Sequence, residues 1–248
     1  MPSPALLAVF AHPDDEAFRC GGTLALLARG GVRVHLLTFT PGQAGSCGDP
    51  PLCTPEELGV VRTDELHCSC RALGIEDLEI LDYEDGELSN VHHEEGVAHI
   101  TARIHSIRPQ ALLTWPSTGL SGHPDHIAVS QWAEDALQKA INSSIDSLSA
   151  MYYLAFPQSL ARDLGLHHLH SVPDEEVTMT VDVRDVWEQK MTAIACHRTQ
   201  AGSSPILKAP EEHQRRFLGW EHFKRVSMDH LEDALLKLDR QQEELTTE

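Results

Sequence analysis

"AVFAHPDDEAF", Ala8 to Phe18, decides how this 248-residue chain is read. It follows from "ALLAVFA" (Ala5 to Ala11), a continuous apolar run of the kind expected of a strand buried on both faces. The run opens without a spacer into His12, Pro13, the adjacent pair Asp14 and Asp15, and then Glu16. Adjacent carboxylates repel each other, and no Lys or Arg adjoins them in sequence. A strand that delivers a histidine and two aspartates at its carboxyl end marks both a fold and a place to look for chemistry.

Beyond this stretch the chain alternates strand and helix. "EAFRCGGTLALLAR" (Glu16 to Arg29) reads as one helix stopped by Gly30 and Gly31, and Val32 to Thr40 as the second strand. A turn-rich loop, Pro41 to Pro55, precedes a helix with Thr54 as N-cap and Pro55 at its first position. Strands follow at Leu78 to Tyr83, Ala111 to Pro116 and Met151 to Phe156, with a sixth at Val177 to Val183. Helices are expected at Val91 to Ile107, from the "HPDH" loop to Ile141, over "RDVWEQKMTAIACH", and over most of Glu211 to Asp239. This is the pattern of an α/β fold, a Rossmann-like, mainly parallel sheet flanked by helices, with expected strand order 3-2-1-4-5. No repeat or interdomain linker is visible, so residues 1–248 are read as one domain with a frayed tail at 240–248.

The balance of 19 Lys and Arg against 38 Asp and Glu gives a net charge of -19, which argues against nucleic acid or an anionic membrane as partner. No apolar run approaches membrane-spanning length, and the N-terminus lacks the basic region of a signal peptide. The expected location is the cytoplasm. Accordingly the six cysteines, Cys20, Cys47, Cys53, Cys68, Cys70 and Cys196, are read as reduced; Cys47 and Cys53 share one loop and could approach each other.

In a parallel sheet, ligands gather beyond the carboxyl ends of the strands where strand order reverses, here between strands one and four. "HPDDE" follows strand one, and "HPDH" (His123 to His126) follows strand four. The turn after strand one lacks the G-x-G-x-x-G of a dinucleotide site. Histidines and carboxylates converging from two loops point instead to a divalent metal, since catalytic zinc often takes two His and one carboxylate and leaves a position for water. His12, Asp15, His123 and His126 are the candidates, and spacing alone does not say which three bind. Consecutive side chains in a tight turn point different ways, so Asp14 and Asp15 are assigned different jobs, one as ligand and one as proton acceptor. Against this stands a plainer reading of each motif alone, an Asp capping a helix. Glu16 is explained by favourable charge placement at a helix N-terminus. His92 with His93, and His167, His168 and His170, read as surface or loop histidines.

At these residues the sequence resembles the LmbE-like (PIG-L) family of zinc-dependent N-deacetylases. "AHPDDE" and "HPDH" resemble its two motifs, and the likeness extends through "GGTLALLARGG", "TFTPGQAG", "VRTDEL", "LDYEDGEL" and "KMTAIACHRTQ", roughly residues 4 to 226. The resemblance implies an amide hydrolase that removes the N-acetyl group from an N-acetylglucosaminyl-type small molecule. It implies His12, Asp15 and His126 as ligands of Zn2+, Asp14 as general base, His123 as the oxyanion or acid group, and Asp125 as the residue orienting the His123 ring. It further implies Arg62, Asp85, His197 and Gln200 at the substrate. Two other readings stay open. Two His and one carboxylate also describe a non-heme iron enzyme, so Fe2+ is an alternative ion. A non-catalytic sugar- or metal-binding module could use the same fold. The exact N-acetylated amino sugar and any homo-oligomer are not specified by the sequence.

Overall fold

A computed structural model describes residues 3–143 and 147–226. Strand β1 (Ala5–Phe10) leads through α1 (Asp15–Phe18) and α2 (Gly21–Arg29) to β2 (Arg33–Thr38). Helix α3 (Leu58–Leu73) leads to β3 (Asp77–Ile80), and α4 (His93–Ile107) to β4 (Ala111–Thr114). The short α5 (Gly119–Gly122) and the long α6 (Pro124–Asn142) lead to β5 (Ala150–Ala155). Then come α7 (Gln158–Asp163), β6 (Met179–Asp182), α8 (Trp187–Cys196), α9 (Arg198–Ala201), α10 (Pro205–Lys208), α11 (Glu211–Leu218) and β7 (Trp220–Val226).

The strands form one sheet in the order β3-β2-β1-β4-β5-β7-β6. The first five are parallel, in the expected order 3-2-1-4-5, and β7 and β6 extend the sheet antiparallel. β1 lies at the centre and is buried at every position. Its side chains alternate between two cores. Leu6, Ala8 and Phe10 join the layer under α2, α3 and α8, whereas Leu7, Val9 and Ala11 join the layer under α4 and α6. That two-sided burial is why the run shows no polar alternation.

Three expectations need correction. The helix read as continuous from Glu16 to Arg29 is broken at Arg19 and Cys20. The break frees the amides of Gly22 and Thr23, which donate to the buried Glu221 carboxylate at 2.9 and 2.7 Å. Gly22 also packs so close to Val183 that a Cβ there would lie 2.4 Å from that side chain, so the glycine is required for the approach. Second, the helix expected over Glu211 to Asp239 ends at Leu218, and Trp220–Val226 is a strand paired with both β5 and β6. The remainder of that expected helix and the 240–248 tail lie outside the described residues.

Third, the cysteines are not all reduced: Cys68 on α3 and Cys196 at the end of α8 form a disulfide with a Cα–Cα distance of 5.7 Å. The bridge spans 128 positions, so no local spacing marked it. Cys47 and Cys53 are free, as are Cys20 and Cys70.

Glu221 also holds Lys190, whose Nζ lies 2.7 Å from Oε1 and donates to the Leu218 carbonyl at 2.6 Å. Both side chains are fully buried. Removing the lysine strands a buried carboxylate, a loss of about 3–5 kcal/mol for such pairs. Lys190→Met is expected to lower the unfolding free energy by roughly that amount in a urea titration. Adding Glu221→Gln to it removes the stranded charge while keeping an acceptor for the amides of Gly22 and Thr23, and should restore part of the loss; a double variant less stable than the single one would refute this account.

Candidate active site

The turn after β1 and the N-terminus of α6 meet at the carboxyl edge of the sheet, beside the reversal between β1 and β4. His12, Asp15 and His126 are all buried and each offers one donor atom, mutually within 4.8 Å. His12 Nδ1 and His126 Nε2 stand 3.2 Å apart. The partners on the far sides of the two rings assign their hydrogens. His12 Nε2 donates to Asp125 Oδ2 at 3.1 Å and toward Asp85 Oδ1 at 3.0 Å. His126 Nδ1 donates to the Gly119 carbonyl at 3.1 Å. Each ring therefore turns a lone pair inward, and two lone pairs at this distance need a cation or a proton between them.

The surroundings hold this arrangement rigidly. Trp115 stacks on His126 with centroids 4.0 Å apart and planes 5° off parallel. Its indole N–H, with the amides of Ala11 and His12, donates to Asp15 Oδ2 at 3.3, 3.1 and 3.0 Å. Asp15 Oδ1 lies 3.5 Å from His126 Nε2. Burial disfavours the Asp15 carboxylate, but the charge and hydrogen bonding of His126, then His12, outweigh it and hold the carboxyl below its ordinary range. Burial likewise opposes charge on His12, yet Asp125, Asp85 and Asp15 together raise its pKa to about 10. Asp125 is fully buried and also accepts from the amides of Gly86 and Leu88, at 2.7 and 3.1 Å.

Asp14 stands apart from its neighbour because its backbone is left-handed, φ 102°. Its side chain keeps 24% exposure and approaches Arg62 Nη2 at 3.3 Å. Burial raises its pKa to about 6, with Arg62 opposing and Asp15 and Glu16 adding to the rise. Arg62 is no surface arginine. It is buried, and donates to the Gly42 and Pro13 carbonyls at 2.7 and 2.5 Å. Gly42 has φ +72°, and a Cβ there would sit 2.3 Å from the guanidinium. His123 caps α6 by accepting the Asp125 amide on Nδ1 at 3.2 Å, so its Nε2 carries the hydrogen. Burial and the neighbouring His126 and His12 push its pKa down.

The remaining expected site residues divide. Asp85 reaches the centre, joining His12 with one oxygen and the Ala44 amide with the other at 3.0 Å. Gln200 lies at the rim and holds the Pro41–Pro55 loop through the Ser46 carbonyl (2.7 Å) and amide (3.3 Å). His197, expected to line the pocket, is fully buried and faces Glu16 at 2.7 Å. Asp125, expected to orient His123 through its carboxylate, directs that carboxylate to His12 instead. Sequence reasoning also missed Glu16, which is 1% exposed and lies within the site's support. A buried acid two residues from a left-handed turn has no periodic signal. Trp115 was missed too, because it reads as part of strand four, which in the fold ends at Thr114.

Among solved structures, the chain resembles N,N'-diacetylchitobiose deacetylase from Pyrococcus horikoshii, at TM-score 0.67 and 21% identity over 91% of this chain and 84% of that one. It resembles GalB, the 4-carboxy-2-hydroxymuconate hydratase of Pseudomonas putida KT2440, equally in fold, at TM-score 0.67 and 18% identity over 93% and 99%. These two likenesses concern architecture. In sequence the chain is 30% identical to the 1D-myo-inositol 2-acetamido-2-deoxy-alpha-D-glucopyranoside deacetylase of Acidothermus cellulolyticus, over 88% of this chain and 87% of that protein. The family model described as PIG-L, GlcNAc-PI de-N-acetylase, matches residues 7–137, a span that contains both H-P-D turns. With those turns meeting at one buried centre and the relationship extending along most of the chain, the protein belongs to the PIG-L family.

Proposed function

We propose that the protein is a metal-dependent hydrolase that removes the N-acetyl group from an N-acetylglucosaminyl-type small molecule. The observation that carries the metal part is the convergence of His12 Nδ1, His126 Nε2 and the Asp15 carboxylate at one buried point. That donor set suits zinc, with a position left for water. The acetylated amino sugar is supported by the name of the Acidothermus relative and by the family description.

Zinc held by His12, Asp15 and His126 would supply Lewis acidity that polarises the acetyl carbonyl and makes water more acidic. Asp14 takes a proton from the attacking water as the new C–O bond forms. Its raised pKa makes it a competent acceptor near neutral pH, and Arg62 keeps it ionised often enough to act. His123, neutral with hydrogen on Nε2, donates to the oxyanion. The proton on Asp14 then passes to the amide nitrogen as the C–N bond breaks, releasing acetate and the free amine. Arg62, Asp85 and Gln200 form the substrate edge, with His197 acting from behind it.

Asp14→Asn is expected to keep one metal per chain and lose at least about 100-fold in kcat, the usual weight of a positioned base. His126→Ala should lose the metal itself. Elemental analysis and amine-release kinetics over a panel of N-acetylglucosaminides read both, and a wild-type protein with neither metal nor release across the panel refutes the proposal.

The proton on His12 competes with the ion for Nδ1. Because the metal-free pKa is about 10, metal uptake at pH 7.5 displaces that proton, and apparent affinity falls as pH falls, by up to about tenfold per unit. Calorimetry in buffers of different ionisation enthalpy should report close to one proton released. A pH-independent affinity between 6 and 8 would contradict the assignment of the ring hydrogens.

A further inference from the structure

We propose that Glu16 is a positioning residue for Asp14, holding the left-handed backbone that aims the catalytic carboxylate. The inference rests on Asp14 being the base.

Glu16 Oε2 accepts the Asp14 amide at 3.0 Å. Its Oε1 accepts the Ser69 hydroxyl at 2.5 Å and faces His197 Nε2 at 2.7 Å. Three donors thus converge on two carboxylate oxygens, in a site with almost no solvent. The bond to Asp14 falls on a residue whose φ and ψ, 102° and -22°, are rare for a side chain other than glycine. Relaxing that backbone swings the carboxylate away from Arg62 and changes its direction relative to Asp15. Position 14 is therefore where a small loss of restraint has the largest effect on aim.

Ser69 and His197 are in turn fixed from outside. Each directly follows one half of the Cys68–Cys196 disulfide, which ties α3 to the end of α8. Two residues from helices otherwise remote in sequence are thereby kept on the same oxygen. Glu65, one turn before Ser69 on α3, adds a second tie by accepting the amide and hydroxyl of Thr199 at 2.9 and 2.7 Å. Glu16 is the piece that carries this rigidity to Asp14. A glutamine is a poor replacement: its NH2 is a donor, the Asp14 amide can only donate, and the Ser69 hydroxyl and His197 ring would both have to turn into acceptors to meet it.

The test uses the metal-loaded full chain. Glu16→Gln should keep one metal per chain, leave KM within about twofold and lower kcat by at least about tenfold, a split expected when aim rather than binding is lost. In an Asp14→Asn background the same change should alter the residual turnover less than about twofold, because Glu16 acts through Asp14. Independently of turnover, the Asp14 amide should exchange with solvent at least about tenfold faster in Glu16→Gln by NMR. Ser69→Ala should move both readings the same way by less, and serves if Glu16→Gln does not fold. An unchanged kcat, an equal loss with Asp14 already replaced, or unchanged exchange overturns the proposal. If the wild-type protein releases no amine, the deacetylase reading falls, and amide exchange alone decides the part played by Glu16.

Discussion

The site depends on one buried carboxylate. Asp125 is closed off from solvent, accepts two backbone amides from the segment after β3, and still takes the Nε2 hydrogen of His12. That last bond fixes the histidine tautomer and sends its lone pair toward His126. Without it, and without Asp85 Oδ1 beside the same nitrogen, the His12 ring could present either nitrogen, and the meeting of two inward lone pairs with Asp15 would not be specified. The partner behind the His12 ring decides which nitrogen it turns inward.

The same logic separates residues of like chemistry. Asp14 and Asp15 are neighbours, yet one carboxyl is raised and the other lowered. Burial pushes both upward. Asp15 receives three N–H donors and two histidines, whereas Asp14 has the edge of a single guanidinium and the negative charge of two adjacent acids. Backbone handedness at position 14 makes this possible, because it sends successive side chains into different surroundings.

Much of this was legible in the sequence. The unbroken apolar run of β1 reported two-sided burial, and the H-P-D turns after strands one and four marked the edge where they meet. Local pattern could go no further than local structure. Strand β7 reads as helix because its inward positions include the charged Glu221, so apolar and polar residues do not alternate along it, and its place depends on β5 and β6. The Cys68–Cys196 bridge and the Glu16–Ser69–His197 contacts join segments that leave no spacing to count. The resemblance places Arg62 at the substrate, but its burial against the Gly42 and Pro13 carbonyls is a product of the fold alone. Sequence order places Asp125 beside His123, and its amide does meet that ring, but the fold turns its carboxylate against His12.

Asp85 spends its two oxygens in two directions, one on His12 and the other on the Ala44 amide of the long loop after β2. Gln200 ties the same loop down at Ser46. That loop is therefore strapped to His12, a proposed metal ligand. Loop and buried centre are inherited together: a graft that exchanges this loop also rewrites the support of His12, so any such redesign has to carry Asp85's second bond with it.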